Sequence, residues 1–108
     1  MKTLVVASEC AAGLFPKNTL LGFQHCQDIE VDGIEFDVHL SRDGHVVVQH
    51  DYLLNKQVTR DTHGNWLTAP GLGMGELTLA EIKQYDVGRY SASARENLEY
   101  PDHQPIDG

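Results

Sequence analysis

The sequence predicts an α/β fold, and three segments near its beginning carry that prediction. Residues 3–7 form a short apolar run bounded by polar Ser8 and Glu9, which is typical of a buried strand. Residues 20–29 space their apolar side chains mostly as a helix does. Residues 33–40 alternate apolar with polar side chains, as a strand does. The expected order is therefore strand, helix, strand.

The helix should begin after a loop that contains Pro16. Asn18 and Thr19 are both candidate N-caps, because their side-chain oxygens can accept a hydrogen bond from the first helical turn. The Asp32-Gly33 pair closes the helical segment and precedes the next strand.

A hairpin is predicted directly after the alternating strand. Asp43-Gly44 between two apolar runs is a strong turn signal, and the connection is too short for a parallel crossover. Residues 45–50 should therefore return antiparallel. If Asp43 and Gly44 are the two turn residues, His50 lies opposite Asp37; a bulged turn would shift this pairing by one residue.

The remainder of the chain is predicted to be mostly irregular. Residues 52–76 contain several glycines and one proline without clear periodicity, which predicts a long loop with at most short strands. Residues 77–81 open a short helix, with Thr78 as N-cap and Glu81 completing a capping box, and Gly88 ends it.

Length and composition limit the classes of function. The 108 residues suffice for one domain, and residues 91–108 are polar and expected to be irregular. A net charge of −8 without a basic cluster disfavours binding to nucleic acid or to an anionic membrane. Any phosphate would then be bound through a cation.

Cys10 and Cys26 form no CxxC pair, so we expect a reducing, cytoplasmic setting. No segment is long enough for a membrane span.

The residues that predict chemistry are Glu35, Asp37, His50 and Asp51. Alternation places Glu35 and Asp37 on one face of a strand, where two buried carboxylates are costly unless a hard divalent cation compensates them. His50 could transfer a proton beside that cation, oriented by Asp51. The alternative is that the carboxylates form a solvated face and the histidine is structural.

A family resemblance favours the functional interpretation. GIEFDVHLSRDGHVVVQHD, residues 33–51, resembles the signature of glycerophosphodiester phosphodiesterases, and GLFPKNTLLGF upstream resembles the loop and helix after that family's first strand. TRDTHGNWLTAPG, LTLAEIKQYDVGRY and HQPIDG resemble a bacterial branch of the family. The resemblance runs over essentially the whole chain, in the right order.

The resemblance implies the first portion of a (β/α)8 TIM-type barrel, with a β-hairpin insertion after the second strand and active-site residues at the carboxyl ends of the strands. It implies a phosphoric diester hydrolase that releases an alcohol and glycerol 3-phosphate. Glu35 and Asp37 would ligate Mg²⁺ or Ca²⁺, and His50 would be one of two acid/base histidines. Asn18 would shape the first loop. Residues 1–108 would be a partial domain, with 52–76 as an insertion loop.

The sequence departs from the family pattern in three ways. Ser8 and Glu9 occupy the positions of a catalytic histidine and a phosphate-binding arginine, so the substrate-binding residues are unknown. Lys17 stands where the family has an acid; it would either supply positive charge lost at Glu9 or be a solvated loop lysine. The chain also stops before the strand that supplies the family's third metal-ligating acid.

These departures leave rival interpretations. The leading one is a phosphodiesterase of this family whose substrate is a small glycerophosphodiester, although this chain should have little activity and little stability alone. The alternative is a non-catalytic remnant that binds a cation or a protein partner, including its own copies through open strand edges. A zinc site rebuilt with Cys10, Glu35, Asp37 and His50, or a local reading error at residues 8–10, are further interpretations.

Overall fold

The computed structural model describes residues 1–10 and 17–87, which form two small sheets and two short α-helices. Strand β1, Val6–Ala7, pairs in parallel with strand β2, Gly33–Ile34, and helix α1, Leu20–Asp28, lies between them in the chain. This βαβ arrangement is the opening unit of a parallel α/β fold, as the sequence predicts.

Helix α1 begins at a side-chain cap. The Thr19 hydroxyl accepts a hydrogen bond from the Gly22 N–H at 3.3 Å, so Thr19 is the N-cap of the two candidates. A Cβ atom added at Gly22 would lie 2.2 Å from the backbone oxygen of Cys10. Only glycine therefore allows the first turn of α1 to pack on the segment that follows β1.

The predicted hairpin is present, but its register is shifted by one residue. Strand β3, Val38–Leu40, pairs antiparallel with strand β4, Val46–Val48, and Leu40 lies opposite Val46. Asp37 accordingly bonds Gln49 across the ladder, at 3.0 Å from the Gln49 nitrogen to the Asp37 oxygen. The pairing of His50 with Asp37 that a two-residue turn predicts is therefore wrong, and the one-residue shift expected of a bulged turn is found.

The turn chemistry explains the shift. Ser41 uses its hydroxyl twice, donating to Asp43 Oδ1 at 2.6 Å and accepting from the His45 N–H at 2.9 Å. Gly44 has φ +84°, a left-handed conformation that suits glycine. Three residues, 42–44, therefore span the turn between Ser41 and His45, in place of the two that were predicted.

The alternating segment is not one continuous strand, contrary to prediction. Glu35 N–H still bonds the Ala7 carbonyl at 2.8 Å, which extends the β1–β2 pairing, whereas Asp37 already pairs with the hairpin. The chain therefore passes from one sheet to the other at Phe36. Backbone pairing with two different partners interrupts the strand that the side-chain pattern alone predicted.

The prediction of a buried first strand is also wrong for the described residues. Leu4, Val5 and Val6 are 65%, 59% and 58% exposed. Within residues 1–10 and 17–87, β1 pairs on one edge only, with β2. A parallel strand is buried when neighbours and covering helices surround it, and the described part of the chain does not supply them for β1.

The core lies instead beneath the hairpin, and the long loop contributes to it. Leu54 and Met74, near the two ends of that loop, are almost fully buried. The loop adds only isolated bridges, such as Leu53 with Gly73, and a 3₁₀ turn at Met74–Glu76. The other buried members of this core cluster are Val47, Leu77 and Ile82.

Helix α2, Leu79–Ile82, closes the described fold. The Thr78 hydroxyl accepts from the Glu81 N–H, and the Glu81 carboxylate accepts from the Thr78 N–H, so the predicted capping box is confirmed. The helix ends before Gly88, which lies outside the described residues, as does the segment 91–108. Among the described helices, none is long and apolar enough to cross a membrane.

Candidate active site

The polar residues of interest lie at the carboxyl ends of the two parallel strands. Glu9 follows β1 in a 3₁₀ turn, Ser8–Cys10, and Glu35 and Asp37 follow β2. Because parallel strands end at the same edge of a sheet, these side chains gather on one side of the fold. That edge is where barrel and open α/β proteins place their active sites.

The turn that carries Glu9 has an unusual backbone. Glu9 and Cys10 both have positive φ, at 46° and 58°, a conformation that costs about 1–3 kcal/mol for a non-glycine residue. Two hydrogen bonds hold Glu9 in place: its N–H donates to Glu35 Oε2 at 3.3 Å, and its carbonyl accepts from the Asn18 N–H at 2.9 Å. Surrounding contacts therefore fix the strained turn.

Glu9, Asp37 and His50 form a cluster in which one ligand atom from each residue lies within 4.8 Å of the others. The structure thus brings together two of the predicted site residues, Asp37 and His50, despite the shifted register. Strand β4 ends at Val48, and the backbone bends at His50, whose ring lies near the Asp37 carboxylate. Glu35 lies beside this cluster, where its Oε2 accepts from the Ser8 hydroxyl at 3.3 Å.

His50 belongs to a short hydrogen-bonded chain. Its Nδ1 lies 2.7 Å from Asp51 Oδ1, and Asn55 Nδ2 donates to Asp51 Oδ2 at 2.6 Å. Since a carboxylate can only accept, Nδ1 carries the hydrogen, and Nε2 of the neutral ring keeps its lone pair. This is the tautomer that a proton-transferring histidine needs.

The surroundings also adjust the pKa values of this pair. The hydrogen bond to Asp51 raises the pKa of His50, partial burial lowers it by less, and the charges of Glu9 and Asp37 raise it further. Burial raises the pKa of Asp51, but hydrogen bonds from His50 and Asn55 and the charge of Lys17 outweigh it and leave that pKa below its usual range. Asp51 therefore stays ionised while His50 titrates.

Replacing Asp51 by asparagine should lower the pKa of His50. The variant removes the carboxylate that accepts from Nδ1, so the protonated ring loses its main stabilising partner. Because folding raises the pKa of His50, protonation of this ring stabilises the folded state. The stabilisation is complete when the pH is below the ordinary pKa of histidine, and it is lost as the pH rises through the raised pKa. The Asp51→Asn variant should lose this dependence. NMR titration of the His50 ring measures the shift, and an unchanged midpoint would contradict the assignment.

One cation faces the cluster from the loop before α1. Lys17 Nζ lies 3.6 Å from Glu9 Oε1, and the two side chains are 27% and 24% exposed. Lys17 also contributes to the lowered pKa of Asp51. The lysine is therefore part of the site, in contrast to the solvated loop lysine that the sequence favoured.

The zinc site with Cys10 is not supported by the geometry. Cys10 is fully buried, and burial raises the pKa of its thiol to about 12, so it is protonated at neutral pH. The described cluster contains Glu9 in place of Cys10. Cys10 is a small buried side chain against Gly22.

Sequence reasoning missed two residues of the site. The sequence analysis does not assign Glu9 as a cation ligand, although its place directly after the first strand is where active-site side chains gather. Asn55 follows Asp51 by four residues in an irregular segment, and no periodicity marks it. Asp51 and Asn55 also line a cavity of about 660 Å³. Its other lining residues include His39, His50, Tyr52, Leu53, Lys56 and Pro70.

Comparison with known proteins gives one consistent family. The family model described as "Glycerophosphoryl diester phosphodiesterase family" matches residues 10–106. A glycerophosphodiester phosphodiesterase of Caldanaerobacter subterraneus is 40% identical over 88 residues, which cover 82% of this chain and 32% of that protein. A glycerophosphodiester phosphodiesterase of Bacillus subtilis is 32% identical over 90 residues, which cover 82% of this chain and 27% of that protein.

Similar solved structures belong to proteins with the same kind of description. A protein of Silicibacter pomeroyi assigned as a glycerophosphoryl diester phosphodiesterase superposes with a TM-score of 0.85 at 34% identity, over 95% of this chain and 37% of that one. An Oleispira antarctica phosphodiesterase, solved in complex with the product sn-glycerol-3-phosphate, gives a TM-score of 0.66 at 30% identity, over 95% of this chain and 36% of that one.

The chain spans about a third of the length of the relatives that it matches. Its described fold is consistent with the amino-terminal portion of the TIM barrel of these proteins, with the hairpin after the second strand. The residues matched by the family model include strand β2, the β3–β4 hairpin and His50, which follows β4. This chain belongs to the glycerophosphoryl diester phosphodiesterase family.

Proposed function

We propose that the chain carries the cation-binding and proton-transfer half of an active site that hydrolyses glycerophosphodiesters to an alcohol and glycerol 3-phosphate. The convergence of Glu9, Asp37 and His50 at the carboxyl ends of the strands is the observation that carries the proposal. We further propose that residues 1–108 are one partial domain in which 52–76 is an insertion loop, and that the protein is cytoplasmic, in keeping with its free cysteines.

The cluster fits a divalent cation. Ligand atoms across an ion with bonds of about 2.0–2.6 Å lie about 4–5 Å apart, and the cluster's ligand atoms lie within 4.8 Å of one another. We propose Glu35 and Asp37 as ligands of Mg²⁺ or Ca²⁺, with Glu9 as a third carboxylate beside them. Such an ion supplies charge stabilisation to a phosphoryl group when it is bound.

The chain's own residues then have separate roles. Asp51, held by Asn55, keeps the His50 ring oriented with Nδ1 protonated. His50 Nε2 can accept a proton from an attacking group or, after protonation, give one to a leaving alcohol oxygen. The raised pKa of His50 favours the second role near neutral pH. The cavity beside His50 has the size of a small-molecule site and lies where the alcohol portion could bind.

The test joins this chain to the carboxyl-terminal part of a relative's barrel. Residues 1–108, genetically fused to the carboxyl-terminal two-thirds of the Caldanaerobacter subterraneus relative, should release glycerol 3-phosphate from glycerophosphocholine with Mg²⁺ or Ca²⁺ added. A chelator should stop the release. A fusion that folds, by circular dichroism, and binds the cation but releases no glycerol 3-phosphate would contradict the proposed function.

A second function, as a non-catalytic binding module, is favoured by one observation. Leu4, Val5 and Val6 are more than half exposed on a strand that pairs on one edge only within the described residues. We propose that these open strand edges pair with another polypeptide segment. In a solution of this chain alone, the partner would be a second copy of the chain. Light scattering with size-exclusion chromatography tests this alternative: a compact monomer over a range of concentrations would remove it.

A further inference from the structure

We propose that Lys17 binds the phosphate of the substrate, and that cation binding releases it from Glu9 for this purpose. The inference rests on the proposed function, because it assigns a residue to the same site. Lys17 Nζ lies 3.6 Å from Glu9 Oε1, and Glu9 is itself a member of the cluster that fits a cation.

The charge balance of the site favours a cationic residue beside the substrate. Four carboxylates, those of Glu9, Glu35, Asp37 and Asp51, lie in or beside the cluster. A single divalent cation leaves this group negative, and a phosphate diester is an anion. A positive side chain that contacts the phosphate would therefore strengthen its binding.

Lys17 is well placed to be that side chain. Its charge reaches Asp51, the partner of His50, as well as Glu9. Three other cations of the described part are paired with acids elsewhere, Lys2 with Asp32, Arg42 with Glu81 and Arg60 with Asp86. Lys56 lines the cavity beside His50.

The backbone next to Lys17 is fixed, whereas its side chain can move. Asn18 is buried with φ +55°, and its N–H donates to the Glu9 carbonyl at 2.9 Å. The Lys17 side chain itself is partly exposed, and partly exposed ion pairs are weak and readily exchanged. A lysine stem with four rotatable carbons can carry its ammonium from a carboxylate to a neighbouring phosphate.

Cation binding supplies the reason for the exchange. When Glu9 shares its negative charge with a divalent ion, its attraction for Lys17 falls. The ammonium is then free to donate to a phosphate oxygen that lies beside the ion. The expected sequence is that the cation binds first and that phosphate affinity depends on it.

Calorimetric titration with sn-glycerol 3-phosphate tests this assignment on the whole chain, with and without saturating Mg²⁺. The unaltered chain should bind the phosphate only with Mg²⁺ present. Lys17→Met should bind it roughly 10- to 100-fold more weakly, the loss expected for one charge-assisted hydrogen bond. Mg²⁺ affinity of the variant should be unchanged or higher, because a positive charge beside Glu9 is removed. Lys17→Arg should restore most of the phosphate binding.

The matched control is Lys2→Met, which removes a lysine from a similar surface ion pair at 3.2 Å from Asp32. It should leave phosphate affinity unchanged. If Lys17→Met does not fold, Lys17→Gln replaces it. If the unaltered chain binds no sn-glycerol 3-phosphate with Mg²⁺, both this assignment and the proposed site are overturned. If it binds and Lys17→Met binds equally well, only the role of Lys17 is overturned.

Discussion

Replacing His50 by asparagine in the active fusion protein should lower kcat by about 10²–10⁴, the range for losing one acid/base histidine. His50 is the group whose ring is oriented by Asp51 and faces Glu9 and Asp37. Asparagine can form hydrogen bonds but cannot transfer a proton near neutral pH. The release of glycerol 3-phosphate under saturating substrate measures the loss.

The same substitution at His63 is the matched control, because His63 is an exposed histidine in a turn of the long loop. His63→Asn should retain full activity. If His50→Asn lowers kcat by less than about fivefold while His63→Asn leaves kcat unchanged, another group transfers the proton. Unfolding curves for both variants separate a chemical effect from a structural one.

Met74→Ala should cause the largest loss of stability among single substitutions in the described core. Met74 is 1% exposed and packs in the cluster with Val47, Leu54, Leu77 and Ile82. Truncation removes buried methylene groups and leaves a cavity, which typically costs about 2–5 kcal/mol. Urea unfolding of the chain, followed by far-UV circular dichroism, measures the change.

Met74→Leu is the control for this prediction, since it keeps nearly the same volume and should cost less than about 1.5 kcal/mol. Equal losses in the two variants would mean that the thioether itself, rather than its volume, holds the core. No loss in Met74→Ala would mean that the long loop does not pack stably beneath the hairpin.

The sequence predicted element types better than it predicted burial and pairing. Helix α1 and the capping box of α2 depend on nearby side chains, Thr19, Thr78 and Glu81, so local chemistry was sufficient. Burial of Leu4, Val5 and Val6 depends on what surrounds β1, and the run of apolar residues cannot say what covers it. The break at Phe36 arises because the residues on either side pair with different strands, which alternation cannot reveal.

The candidate site was predicted in part. Asp37 and His50 meet as expected, although the pairing that suggested it was shifted by one residue. The two charged departures from the family pattern, Glu9 and Lys17, lie together as an ion pair. The positive charge of Lys17 therefore offsets the negative charge of Glu9. Neither position, considered alone in the sequence, could show this.

We expect Asp37, with Glu9 and Glu35, to bind a divalent cation at the carboxyl ends of the strands, beside His50. Titration of the isotopically labelled chain with Mn²⁺ tests this site most directly, because the ion broadens NMR signals of nearby residues first. Early broadening is expected at these three carboxylates and at His50, and it should be lost in Asp37→Asn. Broadening that is absent there, or that is unchanged in Asp37→Asn, would contradict the site.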